Sequence, residues 1–221
     1  MRNKYLHVVA IVPSMGFWRA ETAVSTAIMF GYFGAKKVVG AETQKLSIMS
    51  PQGSVIAALR HSATKAVMQN PTATHLLFVD SDMDFPRTAL HRLLAWDKDI
   101  VAANCTTRKH PVEQTAHDFN HDKIDSRDKD GIVAVRQVGL AIALIRTEVI
   151  KKLRPPLYLN DWIPAISDYC GEDVYFCQVA QAAGFEVFID HELSVEIGHV
   201  GSYIYGHKDI PVTTNEPSDA A

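Results

Sequence analysis

The stretch from His75 to Pro86 reads His-Leu-Leu-Phe-Val-Asp-Ser-Asp-Met-Asp-Phe-Pro: a short apolar run that stops at acids set two apart. Leu76–Val79 is continuously apolar rather than alternating, which suits a strand buried on both faces of a largely parallel sheet. Pro86 suits the first turn of a helix that follows. Open α/β sheets bind ligands beyond the carboxyl ends of their strands. Asp80 and Asp82, with Ser81 between them, would point the same way from an extended segment at that edge. Two carboxylates there can hold a divalent cation and leave coordination positions for substrate phosphates. Acids after a strand also serve as ordinary turn and cap residues, so the rest of the chain must decide.

The elements around this stretch are those of an α/β chain. Leu6–Val12 is β-branched, apolar and closed by Pro13, which predicts a central strand. The loop Ser14–Arg19 opens at that strand end and, with Pro13, is a candidate wall of a nucleotide pocket. Phe17 and Trp18 in it can stack on a base or cover the sheet edge. Glu21–Phe33 predicts a helix with Gly34 just past its end, and Lys37–Val39 a short strand. Ser54–Gln69 has helical spacing and contains Arg60. A helix ending near Trp96 precedes a second buried strand, Ile100–Ala103. The loop after it carries Arg108, Lys109 and His110, which can meet phosphate or be solvated.

The second half begins with a strongly polar segment, residues 112–131, read as an exposed excursion. His117 and His121 in it, with Asp118 and Asp122 nearby, read as solvated rather than as a metal site. Ile132–Arg136 and Leu140–Ile145 predict strands, with Gly139 marking a bulge or a close backbone approach. Thr147 would cap a helix over Glu148–Leu153. Asp161 and Trp162 fall in a loop. Glu172 and Asp173, after Gly171, open a helix through Ala183, where the helix dipole favours acids. Glu186–Asp190 and Val195–Ile197 predict late strands, followed by His199. Past Lys208 the chain is polar and Pro-bearing, which predicts a disordered tail.

Composition sets limits. The 221 residues are enough for one large α/β domain, and 47% hydrophobic with 21% charged is an ordinary globular balance. A net charge of −3 gives no overall drive towards nucleic acid or anionic membrane. Three cysteines, Cys105, Cys170 and Cys177, form no C-x-x-C pair, so a reducing cytoplasm is expected. No stretch is long enough to span a bilayer, so no membrane partner is expected. Rossmann and P-loop glycine signatures are absent, as are the G-x-S-x-G and H-E-x-x-H motifs, which argues against those enzyme classes.

The form hydrophobic-hydrophobic-Asp-Ser-Asp-Met-x-Phe-Pro resembles the DxD signature of glycosyltransferases with the A-type (GT-A) fold, in its family-2-like, small bacterial or phage-type version. The resemblance implies that Asp80 and Asp82 hold Mn²⁺ or Mg²⁺ against the diphosphate of a nucleotide sugar, a UDP-sugar being favoured. It implies further roles in chain order. Arg60, followed by His61 where relatives often have Asn, would reach the donor. Gly139 would lie under the transferred sugar, where any side chain would collide with the ring. Asp173, supported by Glu172, would be the base of an inverting reaction. His199 would be a third metal ligand, and oxygen plus imidazole ligation suits Mn²⁺ somewhat better than Mg²⁺.

The expectation is therefore a single-domain, GT-A-like α/β fold over residues 1–208, a mostly parallel sheet flanked by helices, with residues 209–221 as tail. Its function would be metal-dependent transfer of a sugar from a nucleotide-sugar donor to a hydroxyl. Donor contacts are assigned to Pro13, Phe17, Arg60, Asp80, Ser81, Asp82, Arg108 and Gly139, and acceptor contacts to Asp161 and Trp162. Two acceptor classes stand level: a hydroxymethylated pyrimidine in DNA, and a glycan or small-molecule hydroxyl. For DNA, the clusters Lys36-Lys37, Arg108-Lys109-His110, Lys151-Lys152 and Arg154 can contact phosphates, and Trp162 or Tyr203 can stack on an exposed base. The alternatives are a nucleotidyltransferase and a non-catalytic sugar- or metal-binding module.

Overall fold

A computed structural model describes residues 5–164 and 167–211. In the first half, β1 (Tyr5–Ile11), α1 (Ala20–Ala35), β2 (Thr43–Met49), α2 (Ile56–Met68), β3 (His75–Val79), β4 (Met83–Asp84), α3 (Ala89–Ala95) and β5 (Ile100–Ala103) follow one another. The second half holds β6 (Ile132–Val135), β7 (Ile142–Arg146), α4 (Thr147–Lys152), β8 (Asp161–Ile163), β9 (Asp168–Cys170), α5 (Glu172–Ala182) and β10 (Val187–Asp190). It ends with α6 (His191–Glu196), β11 (Gly198–Val200), β12 (Ile204–Tyr205) and a short 3-10 turn at His207–Asp209.

The main sheet has seven strands in the order β2-β1-β3-β7-β5-β10-β6. β2, β1, β3, β5 and β10 run one way, and β7 and β6 run against them. Alternate residues of the buried strands feed two apolar layers. Val9, Ile11, Leu76 and Phe78 face α2, α4 and α5 through Ala63, Val67, Val149 and Phe176. Val8, Ala10, Leu77 and Val79 face α1, α3 and α6 through Met29, Phe33, Leu90 and Leu193. The continuous apolar runs of β1, β3, β5 and β7 are thus explained by burial on both sides.

Three expectations are corrected. Lys37–Val39 is not a strand; β2 lies at Thr43–Met49, where polar and apolar residues alternate along an exposed sheet edge. Val195–Ile197 is not a strand either. The Asp190 side chain accepts the Leu193 amide at 2.9 Å, caps α6, and turns that segment helical. Thr147 is the first residue of α4 rather than its cap, its hydroxyl donating to the carbonyls of Ala73 and Thr74.

The polar segment 112–131 is pinned to the body at five buried points: Val112, Gln114, Ala116, Ile124 and Ser126. Asn104 holds it, accepting the Ala116 amide at 2.9 Å and donating to the Ile124 carbonyl at 2.7 Å. Ile210 is buried with Val112 and Tyr205, and of the expected tail residues 212–221 lie outside the described residues. Among the described residues no helix is long and apolar enough to cross a membrane.

Candidate active site at the strand ends

β3 hands the chain to its acids. The Asp80 amide still donates to the Ala141 carbonyl at 2.8 Å, so Asp80 is fixed to the sheet. After the turn at Ser81–Asp82, β4 pairs antiparallel with β11, with His199 opposite Met83. The Val200 amide donates to the Asp82 carbonyl at 2.7 Å and closes this register. The result is that His199 Nε2 stands 3.4 Å from Asp82 Oδ1. On its other side β11 packs against β12, where a Cβ on Gly198 would lie 2.2 Å from the Ile204 side chain. Asp84, the third acid, accepts from Ser25 Oγ at 2.8 Å and ties β4 to α1, away from the site.

Asp82 has two cationic or potentially cationic neighbours. Arg108, from the loop after β5, reaches Asp82 Oδ2 at 2.7 Å. Burial alone would raise the Asp82 carboxyl; the His199 ring and the Arg108 guanidinium outweigh it and hold the group below the usual carboxylate range. The His199 ring is oriented from behind: Nδ1 is 2.7 Å from the Thr106 carbonyl oxygen, which can only accept, so Nδ1 carries a hydrogen. In the neutral ring, Nε2 is then a lone pair aimed at a carboxylate. Only a proton or a cation between the two relieves that arrangement, and a backbone carbonyl behind the ring is the usual support of a metal-bound histidine. Asp82 and His199 therefore fit a divalent cation.

Asp80 is engaged differently. Arg60, buried in α2, places Nη2 2.7 Å from Asp80 Oδ1 and Nε 3.6 Å from Glu172 Oε1, with its guanidinium 5.2 Å from the centre of the Phe78 ring. Asp80 nevertheless lines the same cleft as Asp82 and His199. Among the described residues no group of three His, Cys, Asp or Glu side chains stands together as a ready metal cluster. Arg60 sits between three acids rather than on the cleft wall.

Glu172 and Asp173 open α5 beside Arg60. Burial pushes both carboxyls above the usual range, and the Arg60 charge works against it. This answers the opposing pull of a helix N-terminus: burial dominates at Asp173. Its Oδ1 accepts the Val174 amide at 2.7 Å. Its Oδ2 faces Gly139, where a Cβ would stand 3.5 Å away. The Gly139 backbone and the Asp173 carboxylate are thus close neighbours.

A cleft of about 300 Å³ is walled by Pro13, Ser14, Met15, Asp80, Ser81, Asp82, Arg108 and His199, while Gly139, Glu172 and Asp173 fall outside its lining. Met15 lines it, whereas Phe17, two residues on, is solvent-exposed and outside the lining. Leu59 of α2 and the loop before that helix, through Gly53 and Ser54, complete the wall; their sequence carries no recognisable signal. Asp161 and Trp162 are on the exposed hairpin β8–β9 that leads into Gly171. Tyr169, which packs on Trp162, was not singled out in the sequence. Of the basic clusters, Arg108 joins the site. Lys36, Lys37 and Lys151 instead line a groove around Tyr5 and His75, where β1 and β3 begin, at the opposite end of these strands.

No family model and no curated protein matches this chain by sequence. Solved structures do. The crystal structure of A197 from STIV is similar over 89% of this chain and 86% of that one, with TM-score 0.60 and 18% identity. The structure of the glycosyltransferase GalNAc-T7 with UDP, GalNAc and Mn²⁺ is similar over 91% of this chain, with TM-score 0.50 and 11% identity. This chain matches only 45% of the length of GalNAc-T7. The fold is thus GT-A-like: a mixed, mostly parallel α/β sheet with helices on both faces.

Proposed function

We propose that the protein is a metal-dependent glycosyltransferase that uses a nucleotide-sugar donor, a UDP-sugar being favoured. One observation carries the reading: in a GT-A-like sheet, Asp82 and a correctly oriented His199 face each other 3.4 Å apart at the carboxyl end of β3. Asp82 and His199 would hold Mn²⁺ or Mg²⁺, which when bound neutralises charge on the departing diphosphate. Arg108 is placed to follow that charge. Pro13 and Met15 wall the side where the nucleotide would lie, and Gly139 leaves room for the sugar.

In this reading the acceptor oxygen attacks the anomeric carbon and forms the new C–O bond. The bond from that carbon to the diphosphate oxygen breaks, and its electron pair leaves with the nucleoside diphosphate. The acceptor proton passes to Asp173 Oδ2, the carboxylate oxygen beside Gly139. Burial favours the protonated form and so strengthens the base. Glu172 faces Arg60 Nε at 3.6 Å, whereas Asp173 Oδ2 faces Gly139.

The test is calorimetric titration of UDP-glucose, UDP-galactose and UDP-N-acetylhexosamines with Mn²⁺ or with excess chelator. Binding is expected only with the cation. Asp82→Ala is expected to weaken it by more than the roughly 10–100-fold that loss of a supporting group costs. Equal binding in chelator would remove the reading.

A further inference from the structure

The hairpin β8–β9 pairs Asp161 with Cys170, Trp162 with Tyr169 and Ile163 with Asp168. Its root is fixed. Cys170 is buried, and the next residue, Gly171, starts the helix of Glu172 and Asp173. Opposed residues in an antiparallel pair share a face. The Trp162 and Tyr169 rings accordingly meet edge to face, with centroids 5.1 Å apart. Both stay open to solvent, at 48% and 63% exposure. Two large rings held together in water, on the hairpin that runs into the helix of the proposed base, form a surface without a partner among the described residues.

Charge says what such a partner is. From Pro155 to Gly171, the stretch that forms the hairpin, the only charged residues are Asp161 and Asp168. Both alternate to the other face of the hairpin from the two rings. A polyanion needs cations to replace its counterions, and this wall offers none. Lys36, Lys37 and Lys151 are at the far end of the strands, and Lys109 lies 3.9 Å from Glu113. A neutral sugar ring matches the surface: its C–H face packs on aromatic rings, and it needs no cation from the protein.

We propose that the Trp162–Tyr169 hairpin is the acceptor platform and that it takes a neutral sugar ring, making the acceptor a carbohydrate hydroxyl. This rests on the glycosyltransferase reading and deepens it. The test follows the Trp162 indole N–H signal by NMR in the full chain with Mn²⁺ and UDP. The titrants are cellohexaose, maltohexaose, chitohexaose and mannohexaose, and separately a single-stranded oligonucleotide containing hydroxymethylcytosine. At least one oligosaccharide is expected to move the signal saturably. Isothermal titration should then show about 10-fold weaker binding of that sugar to Trp162→Ala and to Tyr169→Ala, the scale for an aromatic anchor, with partial recovery in Trp162→Phe. A Trp162 signal that responds to the oligonucleotide in preference to the sugars overturns the proposal, as does no response to any sugar while UDP binds. Failure of UDP itself to bind with Mn²⁺ removes the donor-site reading instead, so the two failures are distinguishable.

Discussion

Asp80 and Asp82 are two residues apart and have opposite surroundings. The Arg60 side chain that pairs with Asp80 is 3% exposed, and Glu172, its second partner, is nearly as hidden. The Arg108 side chain that pairs with Asp82 is 45% exposed. One arginine is locked in a helix under an aromatic ring; the other reaches in from a loop and can leave. Two identical side chains in one motif therefore divide the work. Asp80 belongs to a buried charge lattice that also fixes the proposed base. Asp82 keeps an exchangeable counter-charge, the condition a cation site needs.

The sharpest way to break this contrast is to delete each arginine. Removing one member of a buried pair typically costs 3–5 kcal/mol, whereas an exposed pair is worth about 0–1 kcal/mol. Arg60→Met is expected near the low end of the first range, because Asp80 is partly open, and Arg108→Met within the second. Urea midpoints measured by circular dichroism check both. Equal losses would mean that the two halves are not distinct.

Asp173→Asn tests whether the buried half holds the chemistry. Turnover is expected to fall by roughly 10² or more, with UDP-sugar affinity nearly unchanged. Normal turnover in Asp173→Asn with a dead Glu172→Gln would exchange the two assignments.

A smaller effect sharpens the exposed half. Arg108 competes with a cation for Asp82, so Arg108→Gln is expected to tighten Mn²⁺ binding without nucleotide by up to about 5-fold, the factor equivalent to 1 kcal/mol. Electron paramagnetic resonance of free Mn²⁺ reads this directly. Weaker binding in the variant would make Arg108 a supporter of the cation rather than its stand-in.

The smallest expected signal is a pH shift. Because burial raises the Asp173 carboxyl, the base protonates at a higher pH than an exposed aspartate, whose usual value is about 3.9. With saturating cation and donor, turnover should therefore begin to fall on acidification above that range. A fall centred at or below it would argue against Asp173 as the base.

Much of this architecture is legible in the residues. The apolar run into Asp80 and Asp82 marks a buried strand, and Gly139 marks a close approach, now seen to be towards Asp173 and Thr115. What is not legible depends on contacts between distant segments. β2 carries the alternating pattern of an edge strand, which is weaker than the apolar Lys37–Val39 beside it. The partners of Arg60 are invisible because a lone arginine in a helix reads as solvated until α5 is seen against it. β4 and β11 are only two and three residues long, so no periodicity announces that they pair.

That last pairing also bears on the order in which the protein is made. All seven strands of the main sheet precede Val195, so the sheet can assemble on a nascent chain before His199 has emerged. Such a chain has the donor cleft and both carboxylates but no imidazole opposite Asp82. In the proposed reading, cation capture would wait for β11, which is translated after the strands of the main sheet. A fragment that stops at Glu196 would be folded in its sheet and silent in its chemistry, which gives synthesis itself a built-in arming step.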